Sequence, residues 1–214
     1  MSAKTRAVKP ASPATGVFLT APGPIAGGMR IGLLGGSFNP AHAGHLHASE
    51  LALKQLGLDY VWWLVSPQNP LKPREGMAGL AKRVADARAI VRNPRIVVTD
   101  IETALGTQFT ADTIARLKQH FPRVRFVWLM GSDNMVQLPR WKHWLGIFRE
   151  VPVAVVARGG SALQARMGVA ARTFAAAFRP PSGHFADTPP PAWTFLDGRR
   201  NPLSATELRA KRRR

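Results

Sequence analysis

The stretch Gly35-Gly36-Ser37-Phe38-Asn39-Pro40-Ala41-His42-Ala43-Gly44-His45 follows a short apolar run, Ile31 to Leu34, and precedes a helical pattern from Leu46 to Leu56. An apolar run of that length, stopped by glycine, reads as a buried strand over 30–35. The segment is therefore a strand, a glycine loop and a helix in succession. Such a junction turns main-chain N–H groups and the positive end of a helix toward one point, where an anion is held. The lysine-bearing phosphate loop is excluded, because no Gly-Lys-Ser/Thr follows. The dinucleotide fingerprint is excluded by the glycine spacing. In their place stand His42 and His45, three residues apart. Residues at that spacing share a face of a helical turn, so both imidazoles reach one ligand. Asn39 is read as the cap, Pro40 as a first helical position and Gly57 as the C-cap.

The same grammar continues along the chain. Apolar runs predict strands over 60–65, 95–98, 124–130, 151–157 and 193–196. Between them lie helical stripes: Leu80, Val84, Ala87 and Val91; then Ile114, Leu117 and Phe121; then Leu163, Met167, Ala170, Phe174 and Phe178. These predict helices over 78–92, 110–121 and 161–178, with Thr110 as a natural cap. Residues 104–109 and 179–192 read as loops. Six strands alternating with helices predict an α/β fold, a Rossmann-like doubly wound parallel sheet in a single domain.

Open sheets of this kind bind ligands at the C-terminal ends of their strands. That edge collects three further segments. The loop Ser66-Pro67-Gln68-Asn69-Pro70-Leu71-Lys72-Pro73 offers Lys72 as a candidate phosphate contact. Gly131-Ser132-Asp133-Asn134 offers Asp133, either a ribose acceptor or a helix cap. Trp141 and Trp144, three apart and so on one face of a helical turn, either stack on a base or close the core. Near the end of the chain, Ser204 and Glu207 match a capping box, so a helix begins at Ser204. Its N–H groups, the hydroxyls of Ser204 and Thr206, and Arg209 present the chemistry of a polyphosphate site.

Composition narrows the classes that remain. The 214 residues suffice for one α/β domain with a full core. No apolar run approaches the ~20 residues of a membrane span, and no signal-like apolar segment opens the chain. There is no cysteine, hence no disulfide, thiolate metal site or cysteine nucleophile. The expected location is the cytoplasm. Residues 1–28 are rich in Pro, Ala and Gly and read as a disordered extension, with the domain over 29–214 ending in a short basic helix. Residues 1–29 carry three basic residues and no acid, and 199–214 carry seven basic and one acidic, so half of the +18 net charge sits at the ends. No nucleic-acid reader motif accompanies these tails, and nucleic acid is not an expected partner. The remaining excess suits anionic substrates. The oligomeric state leaves no trace in the sequence.

Gly-Ser-Phe-Asn-Pro-x-His-x-Gly-His resembles the signature of the HxGH nucleotidylyltransferases, which move a nucleotidyl group from a triphosphate to a phosphate and release pyrophosphate. Asn69-Pro70-x-Lys72, Glu102-Thr103 with Phe109-Thr110-Ala111-Asp112-Thr113, Gly131-Ser132-Asp133-Asn134 and Trp141-x-x-Trp144 narrow the resemblance to the bacterial nicotinate-nucleotide adenylyltransferases. Ser204-Ala205-Thr206-x-x-Arg209 resembles that family's Ser-Ser-Thr-x-x-Arg, with Ala205 in place of a hydroxyl. Phe109 and Ser132 stand where tyrosine and alanine are more usual.

The resemblance implies adenylyl transfer from ATP to nicotinate mononucleotide, giving nicotinate adenine dinucleotide and pyrophosphate. A sister enzyme acting on nicotinamide mononucleotide or phosphopantetheine is the alternative, and acid against amide is decided by resemblance alone. It implies that His42, His45 and Arg209 are catalytic. It assigns ATP to Gly35, Gly36, Ser37, Phe38, His42, Gly44, His45, Gly131, Asp133, Ser204, Thr206 and Arg209. It assigns the mononucleotide to Asn39, Lys72, Thr110 and Trp141. Mg²⁺ is expected on the ATP phosphates, with no protein cage of its own.

Overall fold

In a computed structural model, residues 19–67, 76–157 and 160–198 are described. Six strands form one sheet: β1 Arg30–Gly36, β2 Tyr60–Val65, β3 Ile96–Thr99, β4 Arg125–Gly131, β5 Val153–Val156 and β6 Trp193–Leu196. Their order is β3-β2-β1-β4-β5-β6, and every neighbouring pair is parallel. The strand order reverses between β1 and β4. A crevice opens at such a switch point, outside the carboxyl ends of the strands. Both the glycine loop and the Gly131-Ser132-Asp133 segment leave the sheet there.

Both faces of the sheet are buried, which is why the strands are continuous apolar runs rather than alternating ones. Alternate residues feed opposite sides. Leu33, Trp62, Trp128 and Val153 pack on one face, against helices α3 Ile101–Leu105, α4 Thr110–His120, α5 Ser132–Gln137, α6 Trp144–Glu150, α7 Ser161–Met167 and α8 Val169–Thr173. Leu34, Trp63, Val127 and Ala154 pack on the other, against α1 Ala43–Gln55 and α2 Leu80–Ile90. Burying a side chain of Leu or Phe size stabilises by about 1.5–3 kcal/mol, so these two clusters are the main source of cohesion.

Several local expectations are corrected. Helix α1 starts at Ala43 and is capped by His42, so Asn39 and Pro40 remain in the loop. Its C-cap is Leu56, and Gly57 follows at φ +58° with its Cα hydrogens against the carbonyl of Gly183. The N-cap of α4 is Phe109, not Thr110. Ala104 and Leu105, expected in a loop, belong to α3, which ends on Gly106 in the left-handed region, φ +63°. The single helix expected over 161–178 is broken at Gly168 into α7 and α8, followed by a short 3₁₀ turn at Ala175–Ala177. The break rotates the stripe away from the core: Leu163 and Met167 are 67% and 66% exposed, whereas Ala170 is buried. At the N-terminus, Leu19, Ile25 and Met29 pack against the core, so the expected disordered extension does not reach residue 28. Residues 1–18 and the helix expected at Ser204 lie outside the described residues.

At the edge of the sheet opposite the crevice, Asp187 accepts from Arg30 Nη2 at 2.7 Å and from Arg125, beside an exposed His184. Partial burial opposes ionisation of Asp187. The hydrogen bonds and charges of Arg30 and Arg125 outweigh it and hold the carboxyl below its usual range. A depressed folded-state pKa stabilises above the unfolded value and is lost as pH falls through the folded one. Asp187→Asn is therefore expected to lower the melting temperature at pH 7, with the gap to the parent closing below about pH 4. Melts at pH 7 and pH 3 check this; an equal gap at both would contradict it.

Candidate active site

The glycine loop is shaped by its neighbours. The place a Cβ would occupy on Gly35 lies 2.4 Å from Cη2 of the buried Trp128, so only hydrogen fits. Phe38 sits at φ +45° and is 2% exposed. Its ring stacks on Trp63 with centroids 5.0 Å apart and lies 4.6 Å from the ring of His45. Trp63 in turn donates from Nε1 to Ser49 Oγ at 2.7 Å, and Ser49 donates to the His45 carbonyl at 2.9 Å. A hydrogen-bonded aromatic floor from β2 thus fixes the first turn of α1 and the histidine upon it.

His42 and His45 come together with ring centroids 3.9 Å apart. Gly44 N–H donates to His42 Nδ1 at 3.0 Å, and His42 N–H donates to His45 Nδ1 at 3.2 Å. The pair is a capping box made of imidazoles. An Nδ1 that accepts a main-chain N–H carries no hydrogen, so each neutral ring has its hydrogen on Nε2. The backbone therefore fixes the tautomer of both rings and leaves Nε2 of each as the donor. The helix N-terminus adds roughly half a positive charge at the same point. A helix N-terminus with such donors is a point where an anion can be held.

The other expected residues fall as follows. Gly36 accepts from Ser66 N–H at 2.9 Å, closing the loop against the chain that leaves β2. Gly131 ends β4 and is the N-cap of α5, and no side chain caps that helix. Asp133 is thus in the first turn of α5 and is not its cap. Ser132 Oγ lies 2.7 Å from Ser161 Oγ. Asn39 lies in the loop before α1, where Nδ2 donates to the Gly76 carbonyl at 3.2 Å and Oδ1 accepts from Ala78 N–H at 3.4 Å. Trp141 and Trp144 do not share one helical face. A 3₁₀ turn, Leu138–Arg140, precedes Trp141, and α6 begins at Trp144 after His143 at φ +54°. Trp144 meets Phe174 edge-on, and both Trp144 and Trp141 are half-buried against the core. Lys142 places Nζ 4.3 Å above the ring of Phe109, joining this segment to the start of α4 and Thr110. Lys72, Ser204, Thr206 and Arg209 lie outside the described residues.

Two buried groups emerge to which the sequence alone assigned no role. Glu102 is 5% exposed and accepts from Thr113 Oγ1 at 3.0 Å. Burial pushes its carboxyl up, against hydrogen bonds from Thr113 and Ser66 that favour the charge. Thr113 also meets Thr107 Oγ1 at 2.9 Å, pinning the loop before α4. The second is Arg83, 2% exposed. It stands three residues after Leu80 and four before Ala87, on the apolar stripe of α2. A charge in that register was the available signal.

Among the described residues, no group of three or more His, Asp or Glu side chains is placed to hold a metal. Nor is any described helix long and apolar enough to cross a membrane. A parallel sheet reversing between β1 and β4, with tautomer-locked histidines at a helix N-terminus in its crevice, defines a protein that binds the phosphates of a nucleotide.

Comparison with known proteins sharpens that class. The cytidylyltransferase-like family model matches residues 33–211. A curated relative from Cereibacter sphaeroides, named a nicotinate-nucleotide adenylyltransferase, is 56% identical over 85% of this chain and 97% of its own length. Relatives of the same name from Gluconobacter oxydans and Parvibaculum lavamentivorans are 53% and 50% identical, over 85% and 86% of this chain and 94% and 92% of their own. A solved structure of Plasmodium falciparum nicotinic acid mononucleotide adenylyltransferase complexed with NaAD is similar in fold, with TM-score 0.63 and 16% identity over 85% of this chain and 83% of that one. The chain belongs to the family of bacterial nicotinate-nucleotide adenylyltransferases.

Proposed function

We propose that the protein joins ATP to nicotinate mononucleotide, giving nicotinate adenine dinucleotide and pyrophosphate, with the chemistry centred on His42 and His45. The observation that carries this reading is the histidine pair. Two Nε2–H donors, fixed by main-chain hydrogen bonds, stand at the positive end of α1. The curated relatives bear the name of this activity.

The 5′-phosphate oxygen of the mononucleotide attacks the α-phosphorus of ATP. A P–O bond forms there as the bond to the β-phosphate bridge oxygen breaks, and pyrophosphate leaves with that electron pair. The nucleophile is already anionic, so no residue has to remove a proton. Catalysis then rests on positioning and charge stabilisation. His42 and His45 donate to the triphosphate as charge shifts toward the leaving oxygens. Gly35, Gly36, Ser37, Phe38 and Gly44 supply the close-fitting backbone. Gly131 and Asp133 take the adenosine ribose. Ser204, Thr206 and Arg209 hold the β- and γ-phosphates, and Lys72, Thr110 and Trp141 face the mononucleotide. Asn39, whose amide also fastens residues 76–78, joins them on the mononucleotide.

Mg²⁺ would ride on the ATP phosphates, where it would neutralise charge on the leaving pyrophosphate. ATP as a substrate points to the cytoplasm as the place of action. The test is pyrophosphate release from ATP and Mg²⁺ on addition of nicotinate mononucleotide; a folded sample that releases none contradicts the reading.

A further inference from the structure

Arg83 is almost wholly buried at 2% exposure, yet none of its hydrogen bonds goes to an acid among the described residues. It donates to four main-chain carbonyls instead. Nε reaches Ala78 at 2.9 Å, Nη1 reaches Ser37 at 2.7 Å and Ser66 at 2.8 Å, and Nη2 reaches Pro67 at 3.0 Å. Burial works against its charge, but an arginine stays protonated in proteins. A buried cation is expensive to desolvate, and here four carbonyl acceptors offset that cost.

The acceptors come from three separate pieces of chain. Ser37 is in the glycine loop that follows β1. Ser66 and Pro67 follow β2. Ala78 precedes α2. Other bonds close the same junction. Ser66 N–H donates to Gly36, Asn39 bonds to Gly76 and Ala78, and the side chain of Ser66 is hydrogen-bonded to the buried Glu102. The planar fork of a guanidinium can serve three such segments at fixed angles, and an ammonium cannot. The glycine loop carries the histidine pair on one side of the crevice. Ser66, where the chain leaves β2, is joined to the start of that loop by its N–H bond to Gly36.

We propose that Arg83 is a positioning residue for adenylyl transfer: it sets the glycine loop against the chain leaving β2, and so fixes the histidine pair relative to the incoming phosphate. Arg83 touches no reacting atom in this role. Its effect is on the geometry of attack, where a displacement of about 1 Å costs on the order of 10²-fold in rate.

Arg83→Lys keeps the charge on a single donor nitrogen; Arg83→Met keeps only an unbranched apolar stem. Circular dichroism and thermal melts give the folded fraction, and pyrophosphate release gives kcat and KM per folded molecule. The expected result is a graded loss of kcat, about tenfold or more for Arg83→Lys and about 10²-fold for Arg83→Met. KM for ATP should stay within about threefold of the parent, since the histidines and helix terminus that bind it remain. A folded Arg83→Lys or Arg83→Met with kcat within twofold of the parent overturns the proposal. So does an effect confined to KM, and so does loss of the fold in both variants, which would assign Arg83 to folding alone. The assay rests on the adenylyl-transfer reading. An inactive parent strikes at that reading and takes this proposal with it, whereas an active parent beside an equally active variant strikes only at Arg83.

Discussion

Replacing His45 by alanine is expected to lower kcat by about 10²–10³-fold, the loss typical of removing one preorganised donor to developing charge. The fold should survive. His45 Nδ1 accepts the N–H of His42, so the variant forfeits a capping contact worth about 0.5–2 kcal/mol. Domains of this kind hold roughly 5–15 kcal/mol in all. The ring also rests on Phe38 and faces His42, and losing those contacts loosens the loop without opening the core beneath Trp63. Steady-state kinetics beside a thermal melt separates the two effects. A folded His45→Ala enzyme with near-normal turnover would sink the role given to this imidazole.

The second large effect belongs to Gly35. Adding a methyl group there brings carbon to 2.4 Å from Trp128 Cη2 and 3.1 Å from Cζ2. The indole cannot step aside, because it is 2% exposed and lies in the packed face of the sheet. Gly35 itself is in β1, paired in register with Leu64 of β2. Either the indole or the strand end must shift. Overpacking of this kind costs about 1–3 kcal/mol, and each kcal/mol lowers the melting temperature by roughly 2–4 °C in chains of this size. Gly35→Ala is therefore expected to melt several degrees lower. It should also lose activity, since the strand end that moves is the one that launches the glycine loop. An unchanged melting temperature would show that the contact is softer than the packing implies.

The sheet was legible because its strands are buried on both faces. Tyr60 to Val65 and Val124 to Met130 are apolar without alternation, and a parallel sheet under two helical layers demands that. The paired histidines were legible because the glycine loop and the spacing of three leave few other uses for them. What escaped was set by tertiary contact. His42 displaced Asn39 as the cap because its own imidazole accepts a main-chain N–H. Nothing in local propensity ranks histidine above asparagine at that position. The periodic stripe from Leu163 to Phe178 continued on paper across Gly168, where a Cβ would lie 2.9 Å from the Gln164 carbonyl and the helix turns. Trp141 and Trp144 shared a face only on the assumption of one helix, and His143 in the left-handed region ends that assumption. Arg83 was visible as a charge on an apolar stripe, but its four acceptors come from segments up to 46 residues away in sequence.

The central claim is adenylyl transfer onto a nicotinate nucleotide, and its most direct test runs two substrates side by side. Pyrophosphate release from ATP and Mg²⁺ is followed with nicotinate mononucleotide and with nicotinamide mononucleotide. Strong release with the acid, and little with the amide, is the result predicted here. Release with the amide at least as fast as with the acid would contradict the substrate assignment, while leaving the histidine site and its chemistry in place.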